Sequence, residues 1–354
     1  MKYTRISINT ATPAEARSRV MIIYTGGTFG MTHNESGVLI PFDFSLIKEQ
    51  LPALRNLFLD ITVVSFAEPV DSSNILPEHW VAISEIIFEN YATQDGFVVL
   101  HGTDTMAFTA SAISFMLPNL AKPVIFTGAQ LPIGVLRTDG KENLITAIEI
   151  AAERIDGLPV VPEVCIYFEN KLLRGNRTIK YSAEHFNAFV SPNLPPLAEA
   201  GLQIRYNRNI IRYPTVRRPL AVSSRFETGV AVLRLFPGIM REVVHAVLET
   251  PGVLGLVLET YGTGNAPTAG WFLGELRAFI GRGGIVLNVT QCQAGSVEMG
   301  LYETSAGLIS AGVISGRDIT TEAAVTKMMI LLGGSLPAEK LSALLARPLC
   351  GEMS

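Results

Sequence analysis

The sequence predicts an α/β protein with two domains. Short apolar runs rich in β-branched residues alternate with longer amphipathic stretches, a pattern typical of parallel sheets flanked by helices. At 354 residues the chain exceeds what one hydrophobic core usually organises, and 48% of its residues are apolar, enough for a sizeable core. These observations favour a large flavodoxin- or Rossmann-like domain with a parallel sheet at the N-terminus, followed by a smaller C-terminal α/β domain.

Strands of the first domain are predicted where apolar runs stop at glycine or polar residues. Five such runs are VMIIYTGG (20–27), DITVVSF (60–66), GFVVLHG (96–102), KPVIFTG (122–128) and EVCIYFEN (163–170). Helices are predicted over 77–92, 104–117 and 140–153. The first of them starts at a proline, which suits a first helical turn, and spaces Trp80, Ile83 and Ile87 along one face.

The domain boundary is predicted where the composition changes. After SPNLPPLAEAG (191–201), the stretch RYNRNIIRYPTVRRPL (205–220) is basic, contains proline and has no clear period. A second set of strands then begins with GVAVLRLFPG, VLGLVLETYG and GIVLNVTQC. The predicted organisation is an extension at 1–19, an N-terminal domain at 20–204, a linker at 205–221 and a C-terminal domain at 222–354.

Charge and cysteine content narrow the classes of partner. The net charge of -4 provides no broad cationic surface for nucleic acid or for a membrane, so small neutral or zwitterionic ligands are favoured. Three cysteines without Cys-x-x-Cys spacing suit a reducing compartment. The first nineteen residues contain no apolar leader and no stretch reads as a membrane span, which predicts a cytoplasmic protein.

The residues that follow the strands are the candidates for chemistry, because ligands of open parallel sheets bind outside the carboxyl ends of the strands. These sets are Thr25-Gly26-Gly27-Thr28, Asp71-Ser72-Ser73, Thr103-Asp104-Thr105, Thr127-Gly128-Ala129-Gln130 and the segment RGNRTIK (174–180) with its lysine. No G-x-S-x-G elbow, phosphate loop or H-E-x-x-H helix occurs, and the five histidines are scattered. No metal and no cofactor is therefore expected, and no histidine is assigned a catalytic role.

Threonine remains as the predicted nucleophile, and its hydroxyl needs a neighbouring base to lose its proton. A lysine oriented by an aspartate can serve as that base. Each set also has a plainer interpretation. Thr103 and Asp104 could cap a helix, the first glycine pair could form a tight turn or a phosphate loop, the set at Asp71 could be an Asx turn or a cap, and Lys180 could be a solvated surface charge.

Taken together, these segments resemble the L-asparaginase family, in particular its cytoplasmic type I bacterial members. The matching segments run in family order from about residue 20 to about residue 330. They are IIYTGGTFGM (22–31), DSSNILPEHW (71–80), VVLHGTDTMAFTASAISFML (98–117), KPVIFTGAQLP (122–132), RGNRTIK (174–180), SPNLPPLAEAG (191–201), YGTGNAP (261–267) and LNVTQCQAG (287–295).

The resemblance implies hydrolysis of L-asparagine to L-aspartate and ammonia in active sites completed across a dimer interface, within a homodimer or homotetramer. It implies Thr28 as the nucleophile that forms an acyl-enzyme, with Thr103, Asp104 and Lys180 as a second catalytic set in which Lys180 accepts the proton of Thr103. The implied substrate-binding residues are Asp71, Ser72, Ser73, Ala129 and Asn265, the last from a neighbouring subunit. Backbone N–H groups that follow Gly27 and Gly102 are candidates for stabilising the oxyanion.

Two departures from the family pattern bear on activation and regulation. Many relatives carry a tyrosine in the mobile loop after the first glycine-threonine turn, whereas residues 29–44 contain none. Some type I relatives bind a second asparagine through an arginine and a threonine, whose places hold Glu259 and Ile179 here. Because Glu259 would repel the carboxylate of such an effector, the sequence predicts that this regulation is absent.

Two other functions are compatible with the same fold. An asparaginase-like amidotransferase subunit would supply ammonia for tRNA-dependent amidation, and it would be expected to carry an added domain and a basic face. A catalytically silent amino-acid-binding protein is the second alternative, since fold does not determine function. The intact set Thr28, Thr103, Asp104 and Lys180 favours an enzyme over a silent binder.

Overall fold

A computed structural model describes residues 3–9, 16–27, 29, 31–33, 39–41, 54, 57–216, 218–300 and 303–354. The chain divides into two compact units. The first contains Met1–Ser191 and Pro195–Val222, and the second contains Pro192–Leu194 and Ser223–Ser354. Among the described residues, every helix is too short or too polar to cross a lipid bilayer.

Strands of the first unit form a large mixed sheet and three small hairpins. The strands, in chain order, are β1 Tyr3–Asn9, β2 Ser18–Tyr24, β3 Met31–His33, β4 Leu39–Pro41, β5 Leu59–Phe66, β6 Gly96–Leu100, β7 Val124–Thr127, β8 Arg154–Ile155, β9 Leu158–Pro159, β10 Val164–Phe168, β11 Lys171–Arg174, β12 Ile179–Lys180, β13 Phe189–Val190, β14 Ala198–Ala200 and β15 Ile204–Tyr206. The hairpins are β3 with β4, β8 with β9 and β12 with β13.

The large sheet has the order β1-β5-β2-β6-β7-β10-β11-β14-β15. Its central strands β5, β2, β6, β7 and β10 are parallel, and counted along the chain they follow the flavodoxin-like order 2-1-3-4-5. Antiparallel strands flank this centre, with β1 on one side and β11, β14 and β15 on the other. The predicted α/β class with a parallel sheet is confirmed, and β1 lies within the segment predicted as an extension.

Helices α1 Pro77–Asn90, α2 Met106–Met116 and α3 Gly140–Ala152 connect the central strands. As predicted, α1 begins at its proline and buries Trp80, Ile83 and Ile87. The predicted helix at 104–117 starts two residues late, because Thr105 is the N-cap and the preceding side chains bond elsewhere. Two 3₁₀ turns, Ser72–Asn74 and Gly175–Arg177, lie close to the polar segments singled out above.

The stretch predicted as a linker packs against the first unit. Its first residues belong to β15, and Arg174, buried in an ion pair with Glu163, donates through Nη2 to the Ile210 carbonyl at 2.7 Å. The backbone N–H of Arg212 donates to the same Glu163 carboxylate at 2.7 Å, and the Tyr213 hydroxyl donates to a carbonyl of the first unit at 2.8 Å. The exact domain boundaries stay a prediction.

The second unit is a smaller parallel α/β layer. Its four strands pair in the order β16 Val230–Arg234, β17 Gly255–Thr260, β18 Ile285–Thr290 and β19 Ile314–Ser315. Its helices are α4 Arg241–Leu248, α5 Gly270–Gly281, α6 Glu303–Ala311, α7 Thr321–Gly333 and α8 Ala338–Leu345. A core that includes Leu258, Phe272 and Phe279 joins the sheet to the helices, so the predicted smaller C-terminal α/β domain is confirmed.

Candidate active site

The candidate site lies where the strand order of the large sheet reverses, between β2 and β6. Loops that leave neighbouring strands in opposite directions open a crevice at such a point. Gly27, just after β2, has a φ of +85°, and a Cβ built on it would lie 2.5 Å from the Cα of Gly102. The two strand ends therefore approach so closely that a side chain at Gly27 would collide with the other backbone. Thr28, the predicted nucleophile, follows this turn and lies outside the described residues.

The structure brings three of the predicted catalytic residues together. Lys180 Nζ lies 2.9 Å from Thr103 Oγ1 and 2.6 Å from Asp104 Oδ1. The lysine side chain is 18% exposed, whereas the aspartate side chain is 64% exposed. The lysine can therefore exchange a proton with Thr103 at the inner side, while the carboxylate is accessible to a ligand. This arrangement is not what a solvated surface lysine would form.

Thr103 and Asp104 do not cap the following helix. The N-cap of α2 is Thr105, and its side chain makes no capping bond. Thr105 Oγ1 donates instead to the carbonyl of Ser72 at 2.7 Å, which ties the two polar segments together. The capping interpretation therefore does not account for the hydroxyl and carboxylate pair at the end of β6.

The carboxylate of Asp71 is used locally. Its Oδ1 accepts from the hydroxyl of Ser73 at 2.6 Å and from the backbone N–H of Ser73 at 2.8 Å, which is an Asx turn that caps a short 3₁₀ helix. The hydroxyl bond first, and then the backbone bond, lower the pKa of Asp71 below its ordinary value. Ser72 is buried, and its Oγ would lie 2.5 Å from a Cβ built on Gly102. The segment therefore has a structural role, through the Asx turn of Asp71, and also lies beside the crevice, through Ser72.

Gln130 was not predicted as a site residue, although it ends the polar set after β7. Thr103 Oγ1 donates to its Oε1 at 3.3 Å, and its Nε2 donates to the His185 carbonyl at 3.2 Å. Lys180 and Gln130 thus both contact the Thr103 hydroxyl. The neighbouring Ala129, predicted to bind substrate, is buried, and a Cβ built on Gly140 would lie 3.0 Å from its side chain.

His101 is a second residue that the sequence did not single out. Its ring is buried, with Nδ1 at 2.7 Å from the Gly102 carbonyl and Nε2 at 3.0 Å from Thr109 Oγ1. Burial lowers the pKa of His101 to about 4, so the ring is neutral near pH 7. The sequence offers no signal for this network, because a single histidine before a glycine at a strand end does not indicate which residues its ring contacts.

Asn265 belongs to the second unit, where it ends a tight turn after β17. Tyr261 and Asn265 form an isolated antiparallel bridge, and the backbone N–H of Tyr261 donates to the Asn265 carbonyl at 2.9 Å. Gly264 in this turn has a φ of +106°, and Asn288 Nδ2 donates to its carbonyl at 3.2 Å. Backbone hydrogen bonds and the buried Asn288 therefore hold the turn, and they give Asn265 a defined backbone conformation.

One prediction about the site concerns residues that are only partly described. The loop without a tyrosine, 29–44, is described only at Phe29, β3 and β4, so the consequence of that departure lies outside the described residues. No group of three or more His, Cys, Asp or Glu side chains that could share a metal ion occurs in the part of the chain that the structure describes.

Comparisons with known proteins match the chain over nearly its whole length. The family profile described as Asparaginase, N-terminal matches residues 19–212, and the one described as Glutaminase/Asparaginase C-terminal domain matches residues 229–345. L-asparaginase 1 of Escherichia coli (strain K12) is 44% identical over 342 residues, which cover 96% of this chain and 98% of that protein.

Two further similarities are to a longer protein and to a solved structure. The 60 kDa lysophospholipase of Mus musculus is 42% identical over 360 residues, which cover 95% of this chain and 62% of that protein. The crystal structure of L-asparaginase I from Vibrio cholerae O1 biovar eltor superimposes with a TM-score of 0.85 at 42% identity, covering 96% of this chain and 100% of that one.

Proposed function

The chain belongs to the asparaginase family, and we propose that it hydrolyses the side-chain amide of L-asparagine to L-aspartate and ammonia. The family resemblance seen in the sequence is thereby confirmed. The observation that carries the proposal is the contact of Lys180 Nζ with both Thr103 and Asp104 at the end of β6. A lysine, a threonine hydroxyl and an accessible carboxylate are the groups that a proton relay beside a zwitterionic substrate requires.

The proposed reaction has two steps. In the first, Thr28 Oγ adds to the side-chain carbonyl carbon of asparagine, the C–N bond breaks, and the hydroxyl proton leaves with ammonia; an ester to Thr28 remains. In the second step water adds to the ester carbonyl carbon, the bond from this carbon to Thr28 Oγ breaks, and one proton of the water returns to Oγ, so that aspartate is released and the Thr28 hydroxyl is restored. Thr103 passes protons, and Lys180 accepts and returns them at Nζ, which its distance of 2.9 Å from Thr103 Oγ1 supports.

Substrate recognition is proposed to use the charges around the crevice. Asp104 would bind the α-ammonium, because its side chain is 64% exposed and its carboxylate can accept hydrogen bonds from an ammonium group on its open side. Asp71, Ser72 and Ser73 would bind on the α-carboxylate side. The Asx turn of Asp71 supports this role in one respect, since two donors of the same loop already bind its Oδ1 and so weaken its repulsion of an anion. Ala129 would contact the substrate from the end of β7.

We propose a homodimer or homotetramer in the cytoplasm, with Asn265 completing the site of a neighbouring subunit. The support for both proposals is the resemblance of the turn YGTGNAP and of the other segments to cytoplasmic type I enzymes. The three cysteines are free, and Cys165 is fully buried, so the fold does not depend on a disulfide. Analytical ultracentrifugation over a range of protein concentrations would measure the assembly state.

The test is release of ammonia from L-asparagine by the purified chain alone, without tRNA or a partner subunit, in a coupled glutamate dehydrogenase assay. We expect equimolar aspartate and ammonia. Absence of turnover with the folded protein would overturn the proposal, and turnover only with added tRNA and partner would favour an amidotransferase subunit. A parallel assay with a lysophospholipid substrate tests the different activity that the name of one relative suggests.

A further inference from the structure

A chain of hydrogen bonds runs from α1 to the end of β6 in one direction only. Trp80 Nε1 is solely a donor and lies 3.2 Å from Thr109 Oγ1. The Gly102 carbonyl is solely an acceptor, so His101 Nδ1, at 2.7 Å from it, carries the ring hydrogen. His101 Nε2 is then an acceptor and takes the proton of Thr109 at 3.0 Å. The contacts thus determine the tautomer, because the carbonyl cannot donate.

This chain is closed off from solvent. His101 is 1% exposed and Thr109 0%, and Trp80 is 6% exposed. A neutral imidazole has one donor and one acceptor, and both are used here. Burial lowers the pKa of His101, which keeps the ring in this neutral form over the range in which most enzymes work. The orientation of the Gly102 carbonyl is therefore held by a group that does not change its charge near pH 7.

Holding this carbonyl also determines where the next backbone donor points. The Gly102–Thr103 peptide is trans, as are all peptide bonds in the described residues. In a trans peptide the N–H is directed opposite to the C=O. Because the carbonyl faces the buried ring, the N–H of Thr103 faces the other way. No described residue accepts a hydrogen bond from it.

The residue that carries this N–H stands at the centre of the crevice. Thr103 Oγ1 lies 2.9 Å from Lys180 Nζ, and the backbone before it packs against Gly27, which precedes the predicted nucleophile. If Thr28 is the nucleophile, as proposed, the carbonyl group that it attacks would lie beside this backbone donor. A donor helps such a reaction only if it is already oriented when charge develops on the oxygen.

We propose that His101 is a positioning residue, which orients the Thr103 amide N–H toward the oxyanion of the tetrahedral intermediate, an inference that rests on the proposed amide hydrolysis. His101 itself does not touch the substrate. Its contribution is realised in the transition state, so its loss should lower kcat while KM changes little.

Two substitutions separate the two ends of the ring. In His101→Asn the side-chain amide nitrogen takes the place of Nδ1 and can still donate to Gly102, whereas in His101→Gln it takes the place of Nε2 and the donor to Gly102 is lost. We expect His101→Asn to retain most of the wild-type kcat. We expect His101→Gln to lose about 10²-fold in kcat, the lower end of what removal of one oxyanion donor costs.

A control is needed for lost stability alone. The Tyr91 hydroxyl accepts from the backbone N–H of Ala121 at 2.7 Å. Ala121 precedes β7, so this contact lies at the N-terminal end of that strand, whereas the site lies at the C-terminal ends of the strands. Tyr91→Phe removes that acceptor without touching Gly102, and should lower the melting temperature while kcat is unchanged. If both His101 variants lose kcat equally, in proportion to their melting temperatures, His101 is merely structural and the proposal is wrong.

A measurement on the wild-type protein keeps the proposal testable if the variants do not fold. ¹⁵N NMR of the histidine rings, with label in the imidazole nitrogens, should identify one histidine with the hydrogen on Nδ1 and no titration between pH 6 and pH 8. A hydrogen on Nε2 of His101 would overturn the proposal. Absence of amide hydrolysis in the wild type would instead overturn the proposed function, so the two failures are distinguishable.

Discussion

Lys180 Nζ lies 2.9 Å from Thr103 Oγ1, although 77 residues separate the two along the chain. The lysine is carried by a two-residue strand, β12, which pairs with β13 through Ile179 and Val190. The threonine follows β6 in the centre of the large sheet. A short hairpin therefore places the lysine at the end of a central strand.

Lys180→Met should lower kcat by about 10²- to 10⁴-fold, the usual contribution of a positioned proton acceptor. The thioether side chain has a similar length but no exchangeable proton. The control is Lys171→Met, because Lys171 is an exposed lysine on β11. Steady-state ammonia release measures both variants.

Thr28→Ala should abolish turnover, and adding Lys180→Met to it should cause little further loss, since the groups act as a unit. A Thr28→Ala protein with near wild-type rate would show that Thr28 is not the nucleophile.

L-glutamine should be a poor substrate. If Asp71, Ser72 and Asp104 hold the α-groups, the additional methylene moves the scissile carbonyl away from Thr28, and a displacement of about 1 Å costs around a hundredfold in rate. Side-by-side kcat/KM measurements on both amides check this. Comparable values would show that the α-groups are not held as proposed.

Acid should destabilise the protein through His101. Its pKa in the folded protein is about 4, below the ordinary value of 6.5, so the unfolded chain takes up the proton first as the pH falls. The contribution of the neutral His101 ring to the free energy of unfolding is fully present above about pH 6.5 and is lost between pH 6.5 and pH 4. It amounts to roughly 3 kcal/mol, because each pKa unit corresponds to about 1.4 kcal/mol. Melting temperatures from pH 7.5 to pH 4.5 should fall more steeply for the wild type than for His101→Asn. Parallel curves would contradict the assignment.

Lys327→Met should destabilise the second unit by about 3–5 kcal/mol, because it leaves a buried carboxylate without its counter-ion. Lys327 Nζ lies 2.7 Å from Glu352 Oε1, and both side chains are 0% exposed. The double variant Lys327→Met with Glu352→Gln removes the charge but keeps an acceptor for the backbone N–H groups of Leu349 and Cys350, which Glu352 binds now. Thermal unfolding should therefore find the double variant more stable than Lys327→Met alone. The reverse order would mean that the ion pair is not what this region depends on.

The rate should depend hyperbolically on asparagine. Glu259 stands where some relatives carry an effector-binding arginine, and its Oε1 accepts from the Thr321 hydroxyl at 2.7 Å. A carboxylate held in this way repels the carboxylate of an effector, and Ile179 provides no hydroxyl. Allosteric coupling is typically only about 1–3 kcal/mol, so the two changes together should remove it. A Hill coefficient clearly above one, abolished by substitution of Glu259, would contradict this prediction.

Much of the fold could be predicted because the signals are local. The five parallel strands appear as β-branched apolar runs, and each ends within a few residues of its predicted end. The α1 helix was predicted from its proline and its apolar spacing, and both hold in the structure. The basic stretch at 205–220 was predicted to be a connection from composition alone, and this stays a prediction. Composition could not show that Arg174 and Glu163, distant in sequence, bind this stretch.

The sequence by itself determined the α/β class, the polar sets at the strand ends and the family, because these depend on residue types at short spacings. The tertiary structure alone decided which sets meet. Only the strand order 2-1-3-4-5 places Gly27 against Gly102, and only the β12–β13 hairpin brings Lys180 to Thr103. The one-directional chain through Trp80, Thr109 and His101 is equally invisible in the sequence, since a hydrogen bond depends on distances of about 3 Å between segments that local spacing does not relate.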